Sequence, residues 1–399
     1  MAGPLEGIRI IDLTGMISGP LGTMILADQG ADVIKVEAPV GGGDHTRLVA
    51  TRRGGLSASF LNNNRNKRSI VVDLKSPDGL EIVKKLVSDA DVFIQNFRPG
   101  VIKRLGLGED VLHALNPGLV YVSIAGFGFE GPYANKPVFD PLIQSLSGLT
   151  TVQAGSDEER PKLVRTILPD KLTGFAVAQA ICAALISKGR TGQGQHVRLS
   201  MLDTVLSFLW SSDMNGHTFV GDELEKETAQ SFIDLIYETQ DGFISVAVMR
   251  LKEWHAMARA TGRMEWIDDP RFAEEEGLEV HKNDRLELTQ DALRDDTTDN
   301  WIRRLEAEDI PCAPVLTRRE AIRHAQVIAN ELIVERDHPV AGRLRQTRTP
   351  AQFLGTPADR FEPAPGLGEH SREILGEAGY DATAIDDLIA RAVVTENSK

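Results

Sequence analysis

The chain has 399 residues, enough for two domains or three. Hydrophobic residues make up 42% and charged residues 26%, the balance of a folded globular protein rather than a disordered one. Lys and Arg number 44 against 58 Asp and Glu, and the net charge of −14 argues against nucleic-acid binding through a broad basic surface while leaving room for a local basic pocket.

Residues 1–7 have no basic region and no apolar run, so they do not read as a signal peptide. Arg9 to Leu13 sits in a short apolar run at 8–13, read as a buried strand. A loop over 14–20 carries Gly15 and Gly19, and a helix is expected from Leu21 to Gln29 with Pro20 near its start and Gly30 at its stop. A second strand follows at 32–37. Strand, helix, strand within 30 residues is a βαβ unit and implies a parallel sheet. The pattern continues with strands at 69–73, 91–95 and 119–124 and a helix at 78–87, which makes this half a doubly wound α/β domain. Asp170 precedes a helix over 173–187, then a strand at 196–200 and a helix at 203–210. A boundary is placed in the polar stretch 211–230. Beyond it come strands at 232–238 and 242–249 and helices at 283–294 and 298–308, a smaller α+β domain. The last 74 residues or so, 326–399, are rich in Arg and Pro and end in a helical pattern at 384–393. The expected division is 1–225, 226–325 and 326–399.

Several kinds of machinery have no visible counterpart. No Gly-Lys dipeptide exists for a Walker A loop, and there is no Gly-x-Ser-x-Gly or His-Glu-x-x-His. The nine histidines have no metal-like spacing, so no metal site is expected. Cys182 and Cys312 exclude a disulfide framework and point to a reducing compartment. The longest apolar stretch, Gly174 to Ile186, is about 13 residues, too short to span a bilayer. A cytoplasmic protein without membrane association is the expectation.

Three features carry chemistry, each with a plainer alternative. Gly15, Gly19 and Gly22 in the first βα turn, with Glu37 ending the second strand, could hold a nucleotide-bearing ligand at a helix N-terminus; the alternative is a tight turn. Arg65, Lys67, Arg68, Lys75, Arg98, Lys103 and Arg104 could form a phosphate site; the alternative is a solvated face. Asp170, directly before an apolar helix, is either an N-cap or a carboxylate nucleophile kept ionised by the positive helix end.

Taken in order, these segments resemble the class III coenzyme A transferases, the superfamily of carnitine dehydratase and bile-acid-inducible proteins. The resemblance rests on PLEGIRIIDL at 4–13, Gly19-Pro20 followed by GADVIKVE at 30–37, NKRSI at 66–70 with DLK at 73–75, NFRPG at 96–100, RLG at 104–106, FDP at 139–141 with Gln144, IPCAPV at 310–315 and APGLGEH at 364–370. It implies a Rossmann-like large domain, a small domain and an interlocked homodimer. It implies a catalytic aspartate at Asp170 and a coenzyme A site on Met16, Ile17, Ser18, Leu74, Lys75, Asn96, Phe97, Arg98 and Arg104. Partners are then an acyl-CoA and a small carboxylic acid, with coenzyme A as co-substrate and no other cofactor. Substrate identity is expected near His45, Arg47, Phe139 and Asp140. The alternative within the superfamily is a 2-methylacyl-CoA racemase, which needs a second proton-transferring group. Racemases carry His where this chain has Phe139, which disfavours that reading. Ala247 to Arg250 likewise departs from the glycine-rich small-domain loop of formyl-CoA transferases. With Asp170 as nucleophile, the start of the helix that follows it is one candidate source of the oxyanion donors.

Overall fold

Six segments pair in parallel, and all but the last are largely buried on both faces. They are β1 (Arg9–Leu13), β2 (Asp32–Glu37), β3 (Lys67–Val72), β4 (Val92–Gln95), β5 (Val120–Ala125) and β6 (Gln195–Ser200), in the order β3-β2-β1-β4-β5-β6. That is the doubly wound dinucleotide-fold order, with its switch point between β1 and β4. Helix α1 (Ser18–Asp28) follows β1 and α2 (Pro77–Ser88) follows β3. Between β5 and β6 lie α3 (Asp140–Leu146) and the 24-residue α4 (Leu168–Thr191), and α5 (Met201–Trp210) follows β6. Ile11, Ile34, Ile70 and Phe93 pack on one face of the sheet, and Ile10, Val33, Ile94, Val177 and Ile181 on the other.

The computed structural model describes residues 3–221, 233–358 and 361–396. The chain forms two units: Met1–Gln153, Pro161–Glu223 and Glu331–Lys399 make one, Ala154–Arg160 and Leu224–Asn330 the other. Residues 154–160 thus group with the second unit. That unit holds an antiparallel sheet of three strands, Ile236–Glu238, Phe243–Val246 and Cys312–Pro314, over a core in which the Trp254 and Trp266 rings stack at 4.8 Å. Phe232, the first residue of the strand expected at 232–238, lies outside the described residues.

Three features differ from expectation. Helix α4 starts five residues before the expected Thr173 and ends four beyond Ser187, so by length and composition alone it could cross a membrane. Its inner face, Val177, Ile181 and Ala184, is core of the first unit. Two strands, Ile333–His338 and Gly342–Thr347, form a hairpin where only an Arg/Pro-rich segment was read. Val394 and Thr395 add an antiparallel edge strand beside β3.

Buried charge knits the C-terminal segment to the sheet. Glu37 accepts from Arg47 through both carboxylate oxygens, at 2.7 and 2.8 Å, and from Ser69 Oγ at 2.7 Å. Arg47 also donates to the Pro365 carbonyl and lies 3.7 Å over the Phe60 ring, and Ser69 Oγ accepts from Gly368 N–H. Glu37 is therefore a structural anion, not a ribose-binding acid. Removing one partner of such a pair strands the other charge. Arg47→Ala should lose about 3–5 kcal/mol in urea unfolding, whereas Arg271→Ala, in an exposed pair with Asp269, should leave the midpoint near that of wild type.

Candidate active site

In open α/β sheets ligands sit outside the carboxyl ends of the strands at the switch point. Here that crevice is bounded by residues 14–18 after β1 and 96–100 after β4. Asn96 ties the two loops together: its Nδ2 donates to the Gly15 carbonyl at 2.8 Å and its Oδ1 accepts from Gly15 N–H at 3.0 Å. Buried Gln95 accepts from Phe97 N–H at 2.8 Å and donates to Ser123 Oγ. On the other side Lys35, fully buried, donates to the Thr14 carbonyl and pairs with Asp44 at 2.9 Å. Asp44 in turn accepts from Met16 N–H, which leads a residue at φ 69°, in the left-handed region. Below this loop Asp12 accepts from Thr14, Thr23 and Lys67. Burial pushes the Asp12 carboxyl up, but Lys67 and Lys35 outweigh it and hold it at about 2. Burial, with Lys35 adding to it, brings the Lys67 ammonium down to about 8.

Asp170 reaches this crevice through a helix crossing. A Cβ on Gly22 of α1 would come within 2.6 Å of Val177 and 2.9 Å of the Gly174 carbonyl, and a Cβ on Gly174 of α4 within 2.9 Å of Leu21. The two helices meet where neither has a side chain. Ser18 and Asp170 each lie four residues before those glycines, one turn nearer the N-terminus of their helices. The Ser18 hydroxyl and N–H face the Asp170 carboxylate and favour its charged form. Burial and the neighbouring Asp140 carboxylate act more strongly the other way, and its pKa is pushed up to about 6.

Asp170 is not the helix N-cap: Ile167 takes that place and Asp170 is the third helical residue. Its own N–H donates to Asp140 Oδ2 at 3.2 Å. Leu168 N–H bonds to the Thr166 carbonyl, Lys171 N–H to that of Ile167, and Pro169 has none. The start of α4 therefore has no N–H left over for an oxyanion.

The basic residues separate into two groups. Arg65 pairs with Asp28, Lys67 with Asp12, and Arg68 with Asp32, Glu373 and Glu377. These three are structural rather than a phosphate site. Lys103 lies 3.9 Å from Asp110. The side chains of Lys75, Arg98 and Arg104 are exposed and make no ion pair with any described residue. All three follow the carboxyl ends of β3 or β4, and Arg104 ends a short helix, Val101–Arg104, led by Gly100. Leu74 and Phe97 pack against the core, and Ile17 is buried. His45 and Phe139 are exposed, Arg47 is committed to Glu37, and Asp140 is buried.

Residues 5–371 match the profile of CoA-transferase family III. The chain belongs to that family. It is 30% identical over 404 residues to the succinyl-CoA:glutarate CoA-transferase of Mus musculus, covering 99% of this chain and 91% of that protein. It is 35% identical over 384 residues to the succinate–glutarate CoA-transferase of Agrobacterium fabrum, covering 94% and 95%. The crystal structure of a CAIB/BAIF family protein from Brucella suis superposes with a TM-score of 0.82 at 29% identity, covering 95% of this chain and all of that one.

In this family III CoA-transferase, sequence reading gave no role to Gln95 and Gly174, took Gly22 for part of a ligand-binding turn and Gln144 only for a family motif, whereas all four touch or align the expected site residues. One signal was available. Gly22 and Gly174 stand at the same offset, four residues, from Ser18 and Asp170, in two helices that must both pack on one sheet.

Proposed function

We propose that the enzyme moves coenzyme A from an acyl-CoA donor to a carboxylic acid through a thioester on Asp170. One observation carries this reading: a carboxylate with a pKa of about 6 stands at the switch-point crevice, faced by Ser18 at the N-terminus of α1, in a sheet whose β3 and β4 ends are followed by Lys75, Arg98 and Arg104. Above pH 6 it is ionised and more basic than an ordinary carboxylate, hence the stronger nucleophile.

Asp170 attacks the donor carbonyl, the coenzyme A thiolate leaves, and a mixed anhydride forms. The thiolate then attacks the Asp170 carbonyl, releasing the donor acid and leaving aspartyl-CoA. The acceptor carboxylate attacks that thioester, the thiolate leaves again, and it finally attacks the acceptor carbonyl, regenerating Asp170. No proton is consumed, and one thioester replaces another, so neither ATP nor any cofactor beyond the thioester is required. Ser18 N–H, at the positive end of α1 and facing the Asp170 carboxylate, is assigned as the donor to the oxyanion formed when the Asp170 carbonyl is attacked, since the N–H groups of α4 are used. Lys75, Arg98 and Arg104 are assigned to the coenzyme A phosphates, with Met16, Ile17, Asn96, Phe97 and Leu74 shaping the crevice. Glutarate in the names of both relatives favours a dicarboxylic acceptor here, with a succinyl-type donor. Cys182 and Cys312 are free, which suits the reducing cytoplasm.

We also assign an interlocked homodimer. Leu142 and Leu146 of α3, Phe175 and Ile186 of α4, and Phe208 and Trp210 of α5 are each about half exposed or more, a spread of large apolar side chains that a second copy would cover.

Asp170→Asn keeps size and removes the attacking oxygen anion, so kcat should fall by several orders of magnitude. The change also removes a charge the fold disfavours above pH 6, so melting at pH 7.5 should be no lower than wild type. Wild type incubated with succinyl-CoA and no acceptor, then treated with hydroxylamine, should carry the modification on the peptide containing Asp170; near-normal activity in Asp170→Asn would defeat the mechanism. Arg104→Ala should raise the acyl-CoA KM about tenfold or more, from the loss of about 1.5–3 kcal/mol in a charge-assisted phosphate contact; an unchanged KM there and in Lys75→Ala would reject this placement. Sedimentation at nanomolar concentration should find the dimer intact, because threaded chains separate only by unfolding.

A further inference from the structure

Asp140 entered as a residue of the substrate pocket, but its geometry gives it another task. It is the first residue of α3 and is 4% exposed. Its Oδ1 accepts from Gln144 Nε2 at 2.7 Å, one turn along the same helix. Its Oδ2 accepts from the Asp170 N–H at 3.2 Å. Gln144 is itself fixed: its Oε1 accepts from Val164 N–H at 2.9 Å and its Nε2 also approaches the Thr166 carbonyl. The segment that leads into α4 is therefore threaded along Gln144, and Asp140 closes the first turn of α4 at the residue expected to react.

Both Asp140 oxygens act as acceptors, the pattern of an ionised carboxylate. Asparagine cannot reproduce it. One of its two terminal atoms is a donor, and it would face either the Gln144 amide or the Asp170 N–H. Gln144 cannot turn over to compensate, because its two ends are held by backbone groups of opposite kind.

We propose that Asp140 is a positioning residue of the transfer reaction: anchored on Gln144, it caps α4 at Asp170 and sets a fixed negative charge beside the Asp170 carboxylate. The inference rests on Asp170 being the nucleophile. The charge makes ionised Asp170 less stable and therefore more reactive, and the cap keeps that repulsion from moving it away. Among the described residues Asp140 is the only one whose charge contributes to the raised Asp170 pKa. The other elements against Asp170 bring no compensating ion: α1 presents Ser18, and Lys171, next in the chain, donates to Thr166 Oγ1. Phe139, beside Asp140, has no titratable group.

The test is the acid limb of the kcat/KM profile with succinyl-CoA as donor and glutarate as acceptor, which reports the free enzyme's essential base. In wild type activity should rise as the pH passes about 6, where Asp170 ionises. Losing the Asp140 charge lowers the Asp170 pKa, so in Asp140→Asn the limb should move down by about 1 pH unit, with kcat reduced at least tenfold at pH 8. Asp140→Ser is the second variant; it keeps one acceptor for the Asp170 N–H and no charge, and should shift the limb in the same direction. Gln144→Leu keeps the charge but releases it, and should lower kcat without moving the limb. A limb at the same pH in wild type and both Asp140 variants would overturn the proposal, as would an equal shift in Gln144→Leu. If the wild type forms no adduct at Asp170, the transfer mechanism itself fails; if the adduct forms and the limb does not move, only the role of Asp140 does.

Discussion

Two helices can approach to backbone contact only where both lack a side chain. Gly22 and Gly174 supply that point, and the rest of the site depends on it. The long helix Leu168–Thr191 is held by Val177 and Ile181 against the parallel sheet, so its first turn overhangs the carboxyl ends of the strands. The crossing then sets the register between that turn and the start of helix Ser18–Asp28. Ser18 and Asp170 face each other as a consequence of packing. A methyl group at either glycine would have to displace Val177, Leu21 or backbone, and Asp170 would lose its neighbour before losing any chemical group.

A second layer of constraint holds the loop on which Ser18 stands. Asn96 bonds both sides of Gly15, Lys35 and Asp44 hold Thr14 and Met16, and Asp12 with Lys67 lies beneath. Buried ion pairs gain little net stability, since desolvation offsets attraction. Their value here is geometric. A residue in the left-handed region, such as Met16, persists only when its surroundings over-determine it.

Electrostatics in this acidic chain is decided by pairing rather than by composition. Arg65, Lys67 and Arg68 are close in sequence to Lys75 and look no different from it. They are neutralised by Asp28, Asp12 and Asp32, with Glu373 and Glu377 some 305 and 309 positions away in the chain. Lys75, Arg98 and Arg104 make no ion pair with any described residue, and all three follow strand ends. A net charge of −14 thus still leaves basic side chains uncommitted among the described residues.

Apolar runs marked most of the parallel strands, because strands buried on both faces are rich in Ile and Val, and this is a local property of the chain; Gln195–Ser200, partly exposed at the far edge, is the exception. The motifs in order identified the family, and Asp170 could be singled out from its place before an apolar helix. Its condition could not. A proline and an acid ahead of a helix read as a cap, yet Ile167 holds the N-cap position, Asp140, thirty residues earlier, accepts the Asp170 N–H, and the shifted pKa arises from burial and that second carboxylate. Likewise Glu37 reads as a ligand-binding acid until Arg47 and Ser69 are seen to occupy it, and a strand as short as Val394–Thr395 leaves no pattern to detect. Where neighbours in the chain carry an element, as in the buried parallel strands, the sequence by itself determined it; the hairpin over 333–347 and the edge strand Val394–Thr395 are set by the strands they pair with. Which charges are paired, which carboxylate is strained and which N–H groups remain open depend on residues brought together from distant positions, and only the tertiary structure decided them.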